Sequence, residues 1–519
     1  MNRDQALRSV SDRSDPWDVL IVGGGATGLG TAVDAASRGY ATLLVEQHDF
    51  AKGTSSRSTK LIHGGVRYLA QGRLGLVRTA LQERDLLLRN APHLVHDLKF
   101  IVPAYSLWEL PFYFAGLKTY DLLSGQFGRG RSQWLSCRET LERAPTLIRD
   151  NLRGGILYHD CQFDDARLAI ALARTLFDLG GTAVNYVSVT GLLKNAGKVC
   201  GVRACDVETG HAFEIRARAV VNATGVFADQ VLQMDEPHAR PLITPSQGIH
   251  VVLDRAALPG DCAVVVPHTD DRRILFAIPW HNRVLIGTTD TPVAGPALEP
   301  RPLAEELEFL LANAARYLTT IPDRKDILSV FAGLRPLVAG KQSRNTAAAS
   351  RDHHLEVSPA GLVTIAGGKW TTYRQMGEET VDSALRVAGL PERQTATRTL
   401  HLHGWQAGTD LQYPLSVYGS DALAIRKLVL SQTSWGEGLH ARLPYIKAEV
   451  IWAARHEMAR TIEDVLARRT RALLLDAKAS LEMARTVAGL LAAELGRNAE
   501  WKERQVAEFT QLAKGYMAG

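Results

Sequence analysis

The stretch DVLIVGGGATG, residues 18–28, joins a short apolar run to three glycines in the spacing G-x-G-x-x-G. The apolar run is typical of a strand buried on both faces of a sheet. An alanine-rich helical pattern follows and ends at Gly39, and a second apolar run, 41–45, ends at Glu46. Strand, glycine turn, helix, strand and acid in this order predict a dinucleotide-binding βαβ unit.

The glycine turn of such a unit is suited to a nucleotide. Glycines let the backbone approach a pyrophosphate, which lies at the helix N-terminus where N–H groups and the helix dipole favour negative charge. The carboxylate of Glu46 would accept hydrogen bonds from ribose hydroxyls, and it argues against a 2′-phosphate. A purely structural glycine turn is the weaker alternative, given the flanking elements. The predicted nucleotide-binding residues here are Gly23, Gly25, Ala26, Thr27, Gly28 and Glu46.

The loop TSSRSTKLIHGG, residues 54–65, is the second candidate for ligand contact. It concentrates hydroxyls, basic side chains and paired glycines, which suit many hydrogen bonds, although a plain solvated loop has a similar composition. The first motif does not separate NAD from FAD. Because it occurs once in the chain, electrons from a bound FAD would leave to something other than NAD. The candidates in this loop are Thr54, Ser55, Ser56, Ser58, Lys60, Leu61, His63, Gly64 and Gly65.

A third glycine turn follows an apolar run in TIAGGKWTTYR, residues 364–374. A helix N-terminus at this point can stabilise negative charge on a reduced flavin ring, and Lys369 could reinforce this effect or bind an anionic substrate. As a bare pattern, a Gly-Gly pair is more often only a turn. The apolar run 219–225 also ends in small residues. The candidates in the two segments are Ala223, Thr224, Gly225, Gly367, Gly368, Lys369, Thr371 and Thr372.

Length and composition are those of an ordinary folded protein. The chain has 519 residues, which suggests about three domains, and 46% hydrophobic with 22% charged residues excludes disorder. A net charge of +5 is too mild to imply a nucleic-acid partner, and it suits an anionic membrane surface or a phosphorylated substrate. The five cysteines form no C-x-x-C pair, so no metal site is expected. The sequence has no uncharged apolar run of about 18 residues, so no membrane-spanning helix is predicted.

Together these segments resemble the aerobic, FAD-dependent glycerol-3-phosphate dehydrogenases, within the D-amino-acid-oxidase-like flavoproteins. The resemblance covers nearly the whole chain after about Asp15, and its motifs are specific as a set although several are weak singly. The sequence contains no EF-hand calcium loop, so the resemblance is to the bacterial type of enzyme. The segments that carry it are 55–69, 158–168, 222–225, 286–290 (IGTTD), 333–337 (GLRPL), 367–374, 448–455 and 464–471.

The resemblance implies an α/β fold with three parts. These are a discontinuous Rossmann-like FAD-binding domain, an antiparallel-sheet substrate domain inserted into it, and an α-helical C-terminal domain. The boundaries expected for the FAD-binding domain are 15–75, 151–240 and 335–390; those for the rest are 76–150 (a substrate or cap region with a membrane-facing segment), 241–334 (the substrate-binding β domain) and 391–519 (the helical domain).

The family's activity is implied in the same way. It is the oxidation of sn-glycerol 3-phosphate to dihydroxyacetone phosphate by hydride transfer to flavin N5, with electrons passed to a membrane quinone. Arg335 in the GLRPL stretch corresponds to an arginine that faces the substrate phosphate, and Arg351 corresponds to a second substrate-binding arginine. A phosphate dianion favours such permanently charged, bidentate groups.

The resemblance also assigns residues around the reacting centre. Lys369 corresponds to a lysine beside the flavin, Arg67 and Tyr68 to a pair near the pocket, and His250 to a pocket histidine. Oxidising a secondary alcohol needs a base for the hydroxyl proton. The ordinary pKa of histidine suits this role, whereas a lysine needs a pKa depressed by neighbouring cations. The proton acceptor is therefore either His250 or Lys369, with Arg335 as the third catalytic candidate.

Three other functions remain open. In the first, the enzyme is an oxidase that gives its electrons to oxygen and makes peroxide, since oxygen access depends on the shape of the cavity. In the second, the substrate is another 2-hydroxy acid or an amino acid, although two arginines fit a phosphate better than one carboxylate. In the third, the protein is a flavin-bearing binding or sensor module without turnover.

The aromatic segment 100–117 bears on the location of the protein. Trp108, Phe112 and Phe114, with basic residues nearby, fit a contact with the membrane interface, so we expect a cytoplasmic enzyme held peripherally on the inner membrane. An ordinary buried segment fits equally well. The run RRTR, residues 468–471, could meet lipid headgroups, but we expect a solvated helix face. The sequence leaves the formation of a homodimer open.

Overall fold

The computed structural model describes residues 1–69, 72–125, 130–271, 273–320, 323–339, 353–408 and 413–518. Arg351 and the side chain of Arg67 lie outside this described part.

The strands are β1 (Trp17–Val22), β2 (Thr42–Val45), β3 (Leu61–Ile62), β4 (Val95–Ala104), β5 (Gln133–Leu135), β6 (Gly154–Phe163), β7 (Thr182–Val184), β8 (Val187–Asn195), β9 (Lys198–Asp206), β10 (Ala212–Asn222), β11 (Ile243–Asp254), β12 (Cys262–Val266), β13 (Leu275–Trp280), β14 (Arg283–Gly287), β15 (Thr291–Pro292), β16 (Ser329–Val338), β17 (His353–Val357), β18 (Leu362–Gly367), β19 (Gly438–His440) and β20 (Leu443–Ile446). The α-helices are α1 (Arg3–Ser11), α2 (Ala26–Ser37), α3 (Leu74–Asn90), α4 (Glu109–Ser124), α5 (Cys137–Arg143), α6 (Asp165–Asp178), α7 (Ala228–Asp235), α8 (Ala304–Ala315), α9 (Tyr373–Ala388), α10 (Ala422–Ser431), α11 (Lys447–His456), α12 (Ala472–Leu475), α13 (Ala477–Leu495) and α14 (Ala499–Lys514).

The first sheet has a parallel core built from distant parts of the chain. Its strand order is β17-β18-β10-β1-β2-β7, and β8 and β9 extend it antiparallel from β10. β1 pairs in parallel with β2 on one side and with β10 on the other, so the strand order reverses beside β1. Helix α2 packs against α6 and α9, and the central strands are almost completely buried. A ligand site is expected where the strand order reverses, at the carboxyl ends of these strands.

The second sheet has ten strands and is largely antiparallel, as predicted for a substrate domain. Its order is β15-β11-β14-β13-β12-β4-β6-β3, with β16 paired to β11 and β5 to β6. β11 and β16 form a long antiparallel pair and therefore place His250 and Arg335 on adjacent strands. β3 and β6 belong to this sheet although they fall within stretches assigned above to the FAD-binding domain. The domain boundaries themselves stay predictions.

The C-terminal region is helical, as predicted, but the expectation of a solvated 468–471 face is wrong. Arg468, Arg469 and Arg471 are only 1–2% exposed. The apolar spacing of this region predicts a regular helix with its charges outside, whereas Asp464–Arg469 forms a π-helical turn. The arginines point inward because buried carboxylates from distant segments meet them there.

The aromatic segment 100–117 is partly buried in the protein and partly exposed on its surface. Phe100 is buried in β4 and Phe114 is partly buried, whereas Trp108 and Phe112, at the start of α4, are 62% and 60% exposed. Within the described ranges, we find no helix with the length and apolar character needed to cross a bilayer.

Candidate active site

The glycine turn between β1 and α2 has the backbone that a nucleotide site requires. Gly23 has a φ of 110°, which residues with a side chain rarely adopt. A Cβ added to Gly28 would overlap the carbonyl oxygen of Gly23, so only glycine lets the helix pack this closely on the turn. The N-cap residue of α2, Gly25, has no side chain of its own to cap the helix, and of the first N–H groups the one of Ala26 donates to Ser55 Oγ. The helix N-terminus therefore remains suited to an anion.

Glu46 lies at the end of β2, beside this turn. Its Oε2 accepts a hydrogen bond from the N–H of Gly24 at 2.6 Å, and its Oε1 accepts one from the N–H of His48 at 2.9 Å. These two bonds fix the carboxylate on the wall of the cavity described below. That position is the one predicted for a ribose-binding acid.

The loop 54–65 is tied to both of the other predicted segments. Ser55 Oγ accepts from the N–H of Ala26 at 2.9 Å, which joins the loop to the first turn of α2. The indole N–H of Trp370 donates to the carbonyl of Ser55 at 2.9 Å, which joins it to the 364–374 segment. In that segment Gly367 and Gly368 have φ of 77° and 75°. The three stretches found separately in the sequence therefore form one site.

A single open cavity runs along these stretches and contains most of the predicted residues. From the nucleotide-binding predictions it is lined by Gly23, Gly25, Ala26, Thr27, Glu46, Thr54, Ser55, Ser58, Leu61, His63, Ala223, Thr224, Gly225, Gly367, Gly368, Lys369 and Thr371. His250 and Arg335 line the same cavity. The predicted residues outside its wall are Gly28, Ser56, Lys60, Gly64, Gly65, Tyr68 and Thr372.

Lys60 shows why part of the loop faces inward. Its side chain is completely buried, and Nζ donates to Asp165 Oδ2 at 2.6 Å and to the carbonyl of Ser56 at 2.8 Å. Burial lowers the pKa of Lys60 to about 7 despite the opposing attraction of Asp165. Lys60 therefore supports the loop from behind, on the side away from the cavity.

His250 is 3% exposed and lies in the middle of β11. Its ring stacks on Phe331 with centroids 4.9 Å apart, and Nε2 lies 3.0 Å from the hydroxyl of Thr59. Nδ1 makes no hydrogen bond to the described residues. Burial lowers the pKa of His250 well below its ordinary value, and the positive charges of Lys60 and Arg335 act in the same direction. The imidazole is therefore neutral near pH 7, and the same burial and charges oppose its protonation.

Arg335 is oriented by protein acceptors. Its Nη2 donates to Thr288 Oγ1 at 3.0 Å and to the carbonyl of Thr289 at 2.8 Å, and Nη1 lies 3.2 Å from Asp290 Oδ1. The side chain is still 24% exposed, and it faces the cavity. Such a guanidinium keeps its charge and its direction, which suits recognition of an anion.

Lys369 follows the Gly367-Gly368 turn, and its side chain meets a second predicted residue. Nζ lies 4.1 Å from the ring centroid of Tyr68, a cation–π distance. Tyr68 is 5% exposed and supports Lys369 without lining the cavity.

Among the cavity residues that the sequence does not single out are three polar ones near the reacting centre: Arg57, Thr59 and Thr288. Arg57 and Thr59 lie in the loop 54–65, where composition gives no reason to choose one polar residue over another. Thr59 meets His250 across 191 residues of chain, and Thr288 orients Arg335. Packing between distant segments brings these partners together; for Thr288 and Arg335 it is the pairing of β11 with both β14 and β16.

The donor set of this cavity fits FAD. It offers the helix N-terminus and glycine turn for a pyrophosphate, Glu46 for a ribose, and the Gly367-Gly368 turn for the flavin end. The family model of FAD-dependent oxidoreductases matches residues 18–374, the stretch that contains all of these groups. Fold and site therefore define an FAD-dependent oxidoreductase.

The wider comparisons narrow this class. The model of the C-terminal domain of α-glycerophosphate oxidase matches residues 364–505. Mitochondrial glycerol-3-phosphate dehydrogenase of Rattus norvegicus is 38% identical over 99% of this chain and 75% of its own length, and the probable enzyme of Caenorhabditis elegans is 40% identical over 95% and 72%. The glycerol-3-phosphate dehydrogenase of Bacillus halodurans, solved with FAD, has a TM-score of 0.81 at 30% identity and covers 99% of this chain and 97% of its own. The chain belongs to the glycerol-3-phosphate dehydrogenase family, which confirms the resemblance.

Proposed function

We propose that the protein oxidises sn-glycerol 3-phosphate to dihydroxyacetone phosphate at bound FAD and passes the two electrons to a membrane quinone. The observation that carries the proposal is that Arg335, Lys369 and His250 share one cavity with the three nucleotide-binding stretches. The names of full-length relatives support the substrate. Two cationic side chains beside a predicted flavin position suit a substrate that carries a phosphate dianion.

The residues divide the work of an alcohol oxidation. When bound, FAD supplies the acceptor for the hydride that leaves C2 of the substrate. Arg335 binds the phosphate and so orients C2, and Lys369 adds a second positive charge at the flavin end of the cavity. The hydroxyl proton passes to His250 or Lys369 as the carbonyl forms, and the electron pair of the C2–H bond leaves with the hydride. The imidazole of His250 is neutral before the reaction, and its burial and the nearby positive charges disfavour the protonated form.

An anaerobic titration of the purified holoenzyme with sn-glycerol 3-phosphate tests the proposal. We expect the visible flavin band to bleach and to return when a quinone analogue is added, but not when NAD⁺ is added. Glycerol, a 2-hydroxy acid and an amino acid serve as controls that lack the phosphate. If only the 2-hydroxy acid or the amino acid bleached the flavin, that acid and not sn-glycerol 3-phosphate would be the substrate. Fast reoxidation by oxygen with stoichiometric peroxide, and slow reoxidation by quinone, would identify an oxidase.

We further propose that the start of α4 enters the interface of an anionic membrane. Leu107, Trp108 and Phe112 are 75%, 62% and 60% exposed, and the rings of Trp108 and Phe112 are in contact at 5.7 Å. Lys118, on the same helix, is 38% exposed; it lies over the ring of Phe114 at 5.0 Å and donates to the carbonyl of Ser132 at 2.8 Å. Apolar rings next to a cation on a surface helix are typical of interfacial anchoring without spanning. This contact would place the enzyme peripherally on the cytoplasmic face of the inner membrane, where quinone is available.

The double substitution Trp108→Ser/Phe112→Ser should weaken membrane binding. Each ring would be buried in the lipid when the protein binds. Removing both costs roughly 3 kcal/mol of binding free energy, so we expect binding to vesicles to fall by about 100-fold. Co-sedimentation with vesicles of phosphatidylethanolamine and phosphatidylglycerol measures this change, with activity toward a soluble acceptor as a check on folding. Leu423→Ser/Leu430→Ser is the matched control, since these residues are 61% and 81% exposed on α10. Equal losses in both double variants would contradict a specific contact through α4.

A further inference from the structure

A short segment of the C-terminal helical region, residues 468–471, lies buried against the part of the chain that forms the predicted FAD site. Arg468 Nε lies 2.5 Å from Asp49 Oδ2, and Arg469 forms a bidentate pair with the same carboxylate at 2.6 and 2.8 Å. The three side chains are at most 2% exposed. Burial raises the pKa of Asp49, but Arg469 and Arg468 outweigh it and hold that pKa below its ordinary value. Asp49 is therefore a buried carboxylate whose charge depends on the C-terminal region.

Asp49 belongs to the turn that supports the glycine loop. The turn follows β2, and two residues beyond Asp49 the N–H of Ala51 donates to the carbonyl of Gly24 at 2.9 Å. Glu46 lies at the start of the same turn and accepts from the N–H of Gly24. The two arginines thus fix the turn whose backbone positions the loop 23–28.

The same segment also reaches the second cofactor loop. Arg471 Nη2 donates to the carbonyl of Ser56 at 2.9 Å and to Asp165 Oδ1 at 2.9 Å. The other oxygen of Asp165 accepts from the N–H of Ser58 at 3.0 Å, from its hydroxyl at 2.7 Å, and from Lys60 at 2.6 Å. Arg471 and Asp165 together therefore fix the backbone of the loop 54–65 from behind.

We propose that Arg468, Arg469 and Arg471 are positioning residues for FAD: the C-terminal region sets the conformation of both cofactor loops through buried ion pairs. None of the three arginines lines the cavity, so each acts through Asp49, Ser56 or Asp165. Removing one partner of a buried ion pair leaves a charge that must either find water or move, and here the moving part is a loop that binds the cofactor. A preorganised site loses affinity when its supporting residues are lost.

The FAD dissociation constant of the full-length chain tests this inference. For Arg471→Met we expect the constant, measured by quenching of flavin fluorescence on titration of the apoprotein, to rise at least about tenfold. Arg471→Lys keeps the charge but loses the forked donors, so a smaller rise of about threefold is expected. The visible circular dichroism of the bound flavin should change in both variants, because the loop beside it is displaced.

Arg460→Met is the matched control. Arg460 pairs with Glu208 through Nε and Nη2 at 2.6 and 2.7 Å, so it links the same C-terminal region to the FAD-binding half but touches neither loop. We expect its thermal midpoint to fall while its FAD dissociation constant stays within about twofold of the parent. An unchanged constant in Arg471→Met, or an equal rise in Arg460→Met, would overturn the inference. If Arg471→Met does not fold, an unchanged constant in Arg471→Lys overturns it. The readout is FAD binding, so it does not depend on which substrate the enzyme oxidises.

Discussion

The Gly28→Ala substitution is expected to reduce FAD binding by about 100-fold, so that the protein purifies largely without flavin. A Cβ at this position would overlap the carbonyl oxygen of Gly23, which is backbone and cannot rotate away. The first turn of α2 and the glycine loop would have to separate, and this displaces the N–H groups aimed at the pyrophosphate. The ratio of flavin to protein after gel filtration and a titration of the apoprotein with FAD measure the loss.

Gly489→Ala is the matched control for this prediction. Gly489 lies in α13, and a Cβ added there meets no atom within 4 Å. Alanine also favours the helix more than glycine does, so we expect full flavin content and a slightly higher thermal midpoint. If Gly28→Ala kept the parent's affinity for FAD, the pyrophosphate could not lie on this turn, and the nucleotide site would need another position in the cavity.

The elements around the nucleotide site were accessible from the sequence because their signals are local. An apolar run, a glycine turn and a helix ending near Gly39 predict β1, α2 and β2, and the structure has α2 at Ala26–Ser37 with Gly39 at a φ of 78°. The start of α6 is decided just as locally, since Asp164 accepts from the N–H of Arg167 as its N-cap. Each of these features is decided within a few residues of chain.

The sequence alone does not predict the buried residues that hold the cofactor loops in place, because these residues depend on pairings between distant segments. A basic run such as 468–471 is most often a solvated face, and nothing in it identifies Asp49, about 420 positions earlier, as its partner. The sequence likewise predicts that Lys60 contacts the cofactor. In the structure its hydrogen bond to Asp165 holds the side chain on the other side of the loop. Hydrogen-bonding residues predict a ligand loop, but only tertiary packing decides which of them face the ligand.

The Arg335→Ala substitution is expected to lower kcat/KM for sn-glycerol 3-phosphate by about 100-fold, mainly through KM. Arg335 is a cavity-facing guanidinium whose two Nη atoms already donate to protein acceptors, so its loss removes the positive charge and one charge-assisted hydrogen bond to a phosphate, worth roughly 3 kcal/mol. Steady-state rates with a soluble electron acceptor measure the change. Because the phosphate contact is made before and during the reaction, its loss raises KM more than it lowers kcat.

A control must separate this effect from the loss of the ion pair with Asp290. Arg273 also binds Asp290, at 2.9 Å, but it does not line the cavity, so Arg273→Ala disturbs the same carboxylate without removing a cavity guanidinium. We expect Arg273→Ala to retain kcat/KM within about fivefold, and Arg335→Lys to recover part of the activity because it restores the charge but not the fork. Equal losses in Arg335→Ala and Arg273→Ala would assign Arg335 to support of the fold. Unchanged kinetics in Arg335→Ala would remove the phosphate from this end of the cavity, and Lys369 would then be its remaining predicted cationic partner among the described residues.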